Sequence, residues 1–358
     1  MDELNGLRIN KADQFVYLNS HKLCGAQSIS VSYSKPLRPY SYLGVKSIVP
    51  YIYDGIRATN ITIDKLLNDK DLLWSFTGNA PINGCILQTK ELETNNVSFV
   101  SGFLSSYNLS CQLGQIPQVS AQIISYYDAG SLVGNEGNKF DSDLYCISKT
   151  PYDLNYICLG PTKLNAASTN VNLISGYYGA AQLLAGDYVF FTGLSNQSGI
   201  VGSVTDDQNF TINGINPSSD LTGIAYKYIN PKRIGPGSID LSIPEFDTNR
   251  VNSIRMELQM RRVPIFTIGT CLPKNVLLET PLSIKVDISL EVKNYTLQKL
   301  TSYPVQRKIR DLSFNIRDYD DNKIIQSYNL GEMELISENY RGSVDGNSIV
   351  DLSFIKSA

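Results

Sequence analysis

Apolar and polar residues alternate with period two along much of the chain. Ile29, Val31 and Tyr33 alternate with Ser30 and Ser32, which puts the three larger residues on one face of a strand. Ile61-Thr62-Ile63, Val119-Ser120-Ala121-Gln122-Ile123 and Ile239-Asp240-Leu241-Ser242-Ile243 follow the same pattern. The longest run, Leu282 to Leu290, alternates apolar residues with Ser283, Lys285, Asp287 and Ser289. A strand with one wet face belongs to an antiparallel sheet or barrel. Helical patterning is scarce. Short helices are predicted only over Asp64 to Trp74, where leucines flank Asp69-Lys70-Asp71, and over Val292 to Leu300. The fold class is therefore all-β, with minor short helices.

Turn chemistry agrees. Arg317-Asp318-Tyr319-Asp320-Asp321-Asn322-Lys323 separates Leu312–Ile316 from Ile324-Ile325. A calcium loop would need a glycine at its sixth position and a distal glutamate. Both are missing, so a hairpin turn is expected. Asp345-Gly346 marks another turn, between Ser343-Val344 and Ile349–Leu352.

The chain also repeats itself. Ser28 and Ser253, Pro39 and Pro264, Gly44 and Gly269, and Ile63 and Ile288 each stand 225 residues apart. One gap-free frame thus carries strand parity, a proline and a glycine across a long loop. Further on, Tyr107-Asn108-Leu109-Ser110 matches Tyr340-Arg341-Gly342-Ser343 at an offset of 233, and Val119–Ile123 matches Val350–Phe354 at 231. The stretch between the copies is rich in glycine, asparagine and tyrosine. Its short apolar runs, Leu184–Gly193, Gly199–Val204 and Phe210–Gly214, predict a small β-barrel or sandwich. Three domains are expected, at 1–128, 129–236 and 237–358, with hinges at Gly130 to Gly137 and Pro231 to Pro236.

Composition narrows the chemistry. Of 358 residues only 18% are charged, 31 basic against 34 acidic, for a net charge of −3. That argues against a generic phosphate-binding surface. His21 is the single histidine, so a two-histidine metal site is impossible. His21 is expected to be a surface residue, because no nucleophile motif accompanies it. Gly-x-Ser-x-Gly and Gly-x-x-x-x-Gly-Lys-Ser/Thr are both absent. The six cysteines form no Cys-x-x-Cys pair, which argues against a zinc ribbon. The first residues carry no basic and apolar signal pattern, so no secretion and reduced thiols are expected. No apolar run is long enough to span a membrane. The expectation is a non-enzyme with no catalytic residues, no metal and no cofactor.

The strand–turn–strand stretch from Phe99 to Ala121, the ending from Leu335 to Phe354, and the strand–loop–strand from Ser253 to Ile288 resemble phage tail tube (major tail) proteins. The resemblance covers about two-thirds of the chain and rests on strand and turn patterns. It implies two tandem β-sandwich/barrel tube domains with an inserted β domain as outer decoration. In that family six such domains form a ring around a channel, inner strands join into a continuous barrel, and rings stack into a tail. A duplicated chain would build the ring from three copies, as a pseudo-six-fold trimer. The implied partners are the chain itself, other tail proteins (terminator, tape measure, tip or sheath) and double-stranded DNA as passing cargo. The implied location is the virion tail, assembled in the host cytoplasm.

The resemblance also implies site residues. The long loops, about Ser34–Gly55 and Gln259–Thr280, would reach a neighbouring ring through Arg38, Pro39, Tyr40, Arg261, Arg262, Pro264 and Phe266. Ordinary hairpins inside one domain are the other reading of these loops. A channel that lets DNA slide is expected to be acidic or neutral. Asp287, Glu334 and Asp351 are its lumen-facing candidates, although parity alone leaves both faces open. Two other functions compete: a tail-tip hub or distal tail protein of the same fold, and a carbohydrate-binding adhesin using Tyr126-Tyr127 or Tyr177-Tyr178.

Overall fold

The computed structural model describes residues 15–19, 21–40, 49–53, 56–67, 69–87, 96–127, 129, 156–166, 168–174, 180, 183–192, 198–215, 220–228, 238–243, 250–268, 270, 272–292, 309–318, 322–343 and 346–357. The N-terminal part supplies β1 (Phe15–Leu18), β2 (His21–Lys22), β3 (Ala26–Ser34), β4 (Leu37–Tyr40), β5 (Val49–Tyr53), β6 (Ala58–Leu66), α1 (Leu72–Ser75), β7 (Ile82–Leu87), β8 (Asn96–Gln112) and β9 (Gln118–Ser125). The middle supplies β10 (Tyr156–Leu164), β11 (Asn170–Leu173), β12 (Tyr188–Thr192), β13 (Ser198–Val204), β14 (Asn209–Asn213) and β15 (Leu221–Tyr228). The C-terminal part supplies β16 (Ile239–Ser242), β17 (Val251–Gln259), β18 (Arg262–Ile265), β19 (Asn275–Leu278), β20 (Ser283–Val292), β21 (Ile309–Arg317), β22 (Ile324–Ser343) and β23 (Gly346–Ser357). The described chain is nearly all β.

The alternating runs become strands as their periodicity requires. Along β20, Val286, Ile288 and Leu290 are buried while Lys285, Asp287 and Ser289 stay partly exposed. The predicted helix over Asp64–Trp74 is a different object. β6 runs on to Leu66 because Lys65 and Leu66 keep ladder partners in Val119 and Gln118. Only Leu72–Ser75 turn helical, capped by the Asp71 carboxylate, which accepts from Leu73 N. The second predicted helix falls on residues 293–300, outside the described residues.

The middle strands close a six-stranded barrel, β10-β11-β14-β13-β12-β15. It encloses its own core of Val171, Val189, Phe191, Val201, Phe210 and Ile212. The remaining long strands form one 13-stranded sheet.

Within that sheet the pairing order occurs twice. β3 pairs β6, β6 pairs β9, and β9 pairs the C-terminal half of β8. In the same way β17 pairs β20, β20 pairs β23, and β23 pairs the C-terminal half of β22. Registers match residue by residue. Ile29 faces Ile63 and Ile254 faces Ile288. The bulge between Ala26 and Ser28 recurs between Val251 and Ser253, and that between Leu104 and Ser106 recurs between Leu335 and Ser337. The hairpins β4–β5 and β18–β19 pair Leu37 with Tyr53 and Arg262 with Leu278. The first strands and hairpins thus keep the 225 offset, and β8/β22 with β9/β23 keep 231. The offset of 233 is corrected: Tyr107 faces Ala121 while Glu338 faces Leu352, so Tyr107 corresponds to Glu338 and Leu109 to Tyr340. Both halves feed one core, in which Ile61, Ile63 and Leu109 lie with Ile254, Met256, Val286 and Leu352.

The expected hairpin between β21 and β22 is present, with Asp318 N bonded to Lys323 O at 2.8 Å. Residues 319–321, including Asp320 and Asp321, fall outside the described residues. So do both proposed hinges and the tip residues Val344 and Asp345.

Candidate functional site

The two halves meet where β8 pairs antiparallel with β17, from Ser253 opposite Gln112 to Gln259 opposite Ser106. On the core side Ile254, Met256 and Leu258 face Cys111, Leu109 and Tyr107, and all six are buried. Behind this ladder a polar cluster bridges the halves. The Asp71 carboxylate accepts from Lys65 Nζ at 3.1 Å and from the Tyr107 hydroxyl. Tyr107 and Tyr328 share a hydroxyl contact of 2.9 Å, and Asp71 N donates to Gln326 Oε1 at 3.1 Å. Trp74 packs edge-on against Tyr328, with ring centroids 5.0 Å apart. Burial raises both tyrosine hydroxyls well above their ordinary value, and the Asp71 charge adds to it. Every member of such a cluster needs its partners, so it fixes how the halves sit together.

The same two edges occur again with no further strand paired to them among the described residues. Among the described residues β3 is paired only by β6. Among the described residues the β22 segment 337–343 is paired only by β23, the described part of β21 beginning at Ile309, opposite Glu334 on the other edge. Side chains that are buried at the junction are open at these edges. Leu258 is 3% exposed and its counterpart Tyr33 is 41% exposed. Leu109 is 0% exposed and its counterpart Tyr340 is 43% exposed. Ile29 and Val31 are half-buried where Ile254 and Met256 are fully covered.

The wet face of the sheet is continuous across the junction. One row runs Asp64, Ser120, Asn108, Glu257 and Lys285 through five neighbouring strands, and the next joins Ser110, Arg255, Asp287, Ser353 and Ser337. All three acidic candidates lie on this face. Asp287 accepts from Lys285 Nζ at 2.8 Å and from Ser353 Oγ at 2.6 Å. Asp351 accepts from Ser289 Oγ at 2.9 Å and pairs with Arg341 at 2.6 Å. Glu334 faces Ile355 across the β22–β23 ladder. Partial burial works against the Asp287 charge, but the bonds from Lys285 and Ser353 overcome it and hold its carboxyl below the usual range. The face mixes hydroxyl and amide groups with charge, its carboxylates being partly offset by Arg255, Lys285 and Arg341.

The hairpin residues separate into two kinds. Pro39 and Phe266 are exposed and Pro264 is half-buried. Arg38 and Tyr40 belong to β4, but their side chains lie outside the described residues. Arg261 is exposed and pairs with Glu279 of the same hairpin at 3.0 Å. Arg262 corrects its expectation. It is 6% exposed, and its guanidinium donates to Leu104 O, Asn79 Oδ1 and Gly78 O, each at 2.9 Å, beside the Phe103 ring. It anchors the hairpin to the N-terminal half, at β8 and residues 78–79, and does not reach outward. Beyond it Val263, Ile265, Ile268, Leu272 and Leu277 leave an apolar ribbon exposed.

Composition and periodicity gave no hint of how the barrel is held. Lys227, in β15, faces Val189 of the barrel core and bonds Asp187 at 3.0 Å and Asp69 of the N-terminal half at 2.7 Å. Desolvation alone would depress this ammonium. The two carboxylates more than reverse that and leave it above the ordinary lysine value. Next to it burial lowers Lys70, opposed by the charge of Asp207. The barrel also approaches the C-terminal half, across a cleft of about 590 Å³ lined by Leu184–Asp187 and the β21–β22 turn. Gly186 has φ +90°, and a Cβ there would lie 2.5 Å from Lys323 Nζ. The one available signal was a lysine inside Ile224-Ala225-Tyr226-Lys227-Tyr228.

No group of three or more metal-ligating side chains occurs among the described residues. No described helix is long and apolar enough to cross a membrane. Cys111 is buried in the core, and desolvation pushes its thiol up to about 12. His21 sits in the two-residue strand β2. Tyr126 is buried, with its hydroxyl donating to Arg262 O at 3.0 Å, so Tyr126-Tyr127 is no open stacking platform. Tyr177 and Tyr178 fall outside the described residues. The chain matches no protein-family model and no curated protein sequence.

Proposed function

We propose that this protein is a structural ring-former, a tail-tube-type protein whose copies close into rings that stack around a channel for DNA. The observation that carries the reading is the β8–β17 junction. The chain contains two copies of one strand arrangement, joined edge to edge in a single sheet. The joint uses different surfaces on its two sides, and a head-to-tail joint of that kind either closes into a ring or runs on as a filament. With six positions per ring, as the tail-tube resemblance implies, three chains complete the circle.

Three further features support the reading. The continuous wet face carries Ser, Asn and Gln with carboxylates in excess of cations, which suits a lumen through which a polyanion slides without being gripped. Asp287, Glu334 and Asp351 share that face and are assigned to the channel. The β18–β19 ribbon exposes Phe266, Ile268 and neighbouring apolar residues. An isolated two-stranded hairpin is marginal in water, so this ribbon, with its β4–β5 counterpart, is assigned to contact the adjoining ring. The barrel then decorates the outside.

Electron microscopy of the purified protein tests the proposal. Hollow tubes of stacked rings support the tail tube. Single closed rings that never stack point to a tail-tip hub or distal tail protein. Particles with no ring, together with reproducible binding on a glycan array, would overturn the assembly reading in favour of an adhesin.

A further inference from the structure

The junction inside the chain is a template for the joint between chains, and it predicts that joint residue by residue. Carrying the β17 register back by 225 and the β8 register forward by 231 gives a specific ladder. We propose that residues 337–343 of β22 pair antiparallel with β3 of a second copy of this chain, with Ser28 opposite Ser343, Val31 opposite Tyr340 and Ser34 opposite Ser337. This inference rests on the ring-forming reading and names its partner surface.

Three observations carry it beyond the template. The first is the character of β3. It is a nine-residue strand, Ala-Gln-Ser-Ile-Ser-Val-Ser-Tyr-Ser, with no charge and no proline, and its bulge lies at its beginning. Edges meant to stay in solvent are short, charged, broken by proline or covered. Among the described residues β3 is none of these, which marks it as an edge for pairing. The other terminal strands of the sheet, β2 and β16, are two and four residues long.

The second is complementarity. On the core side Ile29 meets Gly342, Val31 meets Tyr340 and Tyr33 meets Glu338. Large groups thus face small or planar ones. On the wet side Ser28, Ser30, Ser32 and Ser34 meet Ser343, Arg341, Asn339 and Ser337, so the polar face runs on across the joint unbroken. The third is exposure. Tyr33 and Tyr340 are the large apolar groups most exposed to solvent on these two edges, and this register covers both.

Cysteine pairs test the register under mild oxidation, with the unsubstituted chain as background. Directly opposed strand residues have Cα atoms about 4.5–5.5 Å apart, within disulfide reach. The Val31→Cys, Tyr340→Cys double variant is expected to give a covalent three-chain species on non-reducing electrophoresis. Val31→Cys with Glu338→Cys, a shift of two residues, is expected to give none, and so is either single variant. Rings in the microscope with bridging only in the shifted pair overturn the register and leave the ring reading standing. Covalent dimers from Val31→Cys alone mean that β3 pairs with itself, which overturns the proposal. A wild-type chain that stays monomeric at high concentration overturns both the joint and the reading. Hydrogen exchange on the unsubstituted protein gives a readout free of mutation. Amides of residues 29–33 and 337–343 gain protection on assembly. Exchange there as fast as in the monomer contradicts the joint.

Discussion

Arg262 shows how one residue can look like a contact and be a foundation. Its neighbour Arg261 has the same charge and sits one position earlier on the chain, yet it is exposed and pairs with Glu279 of the same hairpin. Strand alternation in β18 turns Arg262 inward, where three acceptors from 78–79 and Leu104 converge on its fork. Arg262→Ala should cost about 3 kcal/mol, because buried acceptors lose a charged donor. Arg262→Lys should recover less than half of that, since an ammonium cannot reproduce the planar fork. Urea unfolding of the two variants checks both numbers. Cys111 makes a pH prediction. Its thiol titrates near 9.0 when unfolded and at about 12 when folded. Between those values the unfolded chain has lost the proton and the folded chain keeps it. Stability from this group is therefore complete below about pH 9 and falls as pH rises, by about 1.4 kcal/mol per pH unit. Cys111→Val should flatten that alkaline slope in denaturation measured from pH 8 to 10.5.

At the scale of elements, the strands were legible wherever one face was wet, because alternation is then written in the side chains. β3, β6, β9, β16 and β20 were all readable in this way. The Asp64–Trp74 segment misled because its charges are internal. Asp69 and Asp71 are buried, one bonded to Lys227 and one to Lys65, so they do not mark a solvent face of a helix. Tyr107 and Tyr340 misled by identity. One is a core residue and the other an edge residue, and only the ladder with its bulge reveals the two-residue slip. The barrel's attachment was illegible because Lys227, Asp187 and Asp69 come from distant segments. Its energetics are testable. Lys227→Met leaves two buried carboxylates without their cation and should weaken docking by about 3–5 kcal/mol. Calorimetry should then resolve a separate, earlier transition for the barrel, with the large sheet nearly unchanged. Because the Lys227 proton is held more tightly when folded, docking persists below the ordinary lysine value and weakens only as pH climbs past it. A single transition at the wild-type temperature in Lys227→Met would mean the cluster is not what holds the barrel.

For the whole molecule, the low charge and abundant tyrosine of the chain take on a meaning that composition alone did not supply. Hydroxyl and amide residues alternate with paired charges on the face that continues across the junction. The open aromatic residues Tyr33 and Tyr340 stand where copies are expected to meet. The duplication was legible because no insertion interrupts the frame from Ser28 to Ile63. The joint was not, because an edge is defined by what fails to pair with it. The central claim is that the internal junction repeats between chains until a ring closes. Native mass spectrometry of the purified, unsubstituted protein tests this most directly. The account predicts a dominant closed species of three times the 39.7 kDa chain mass, and multiples of it as rings stack. A monomer across the accessible concentration range, or a dimer that never grows, would contradict it.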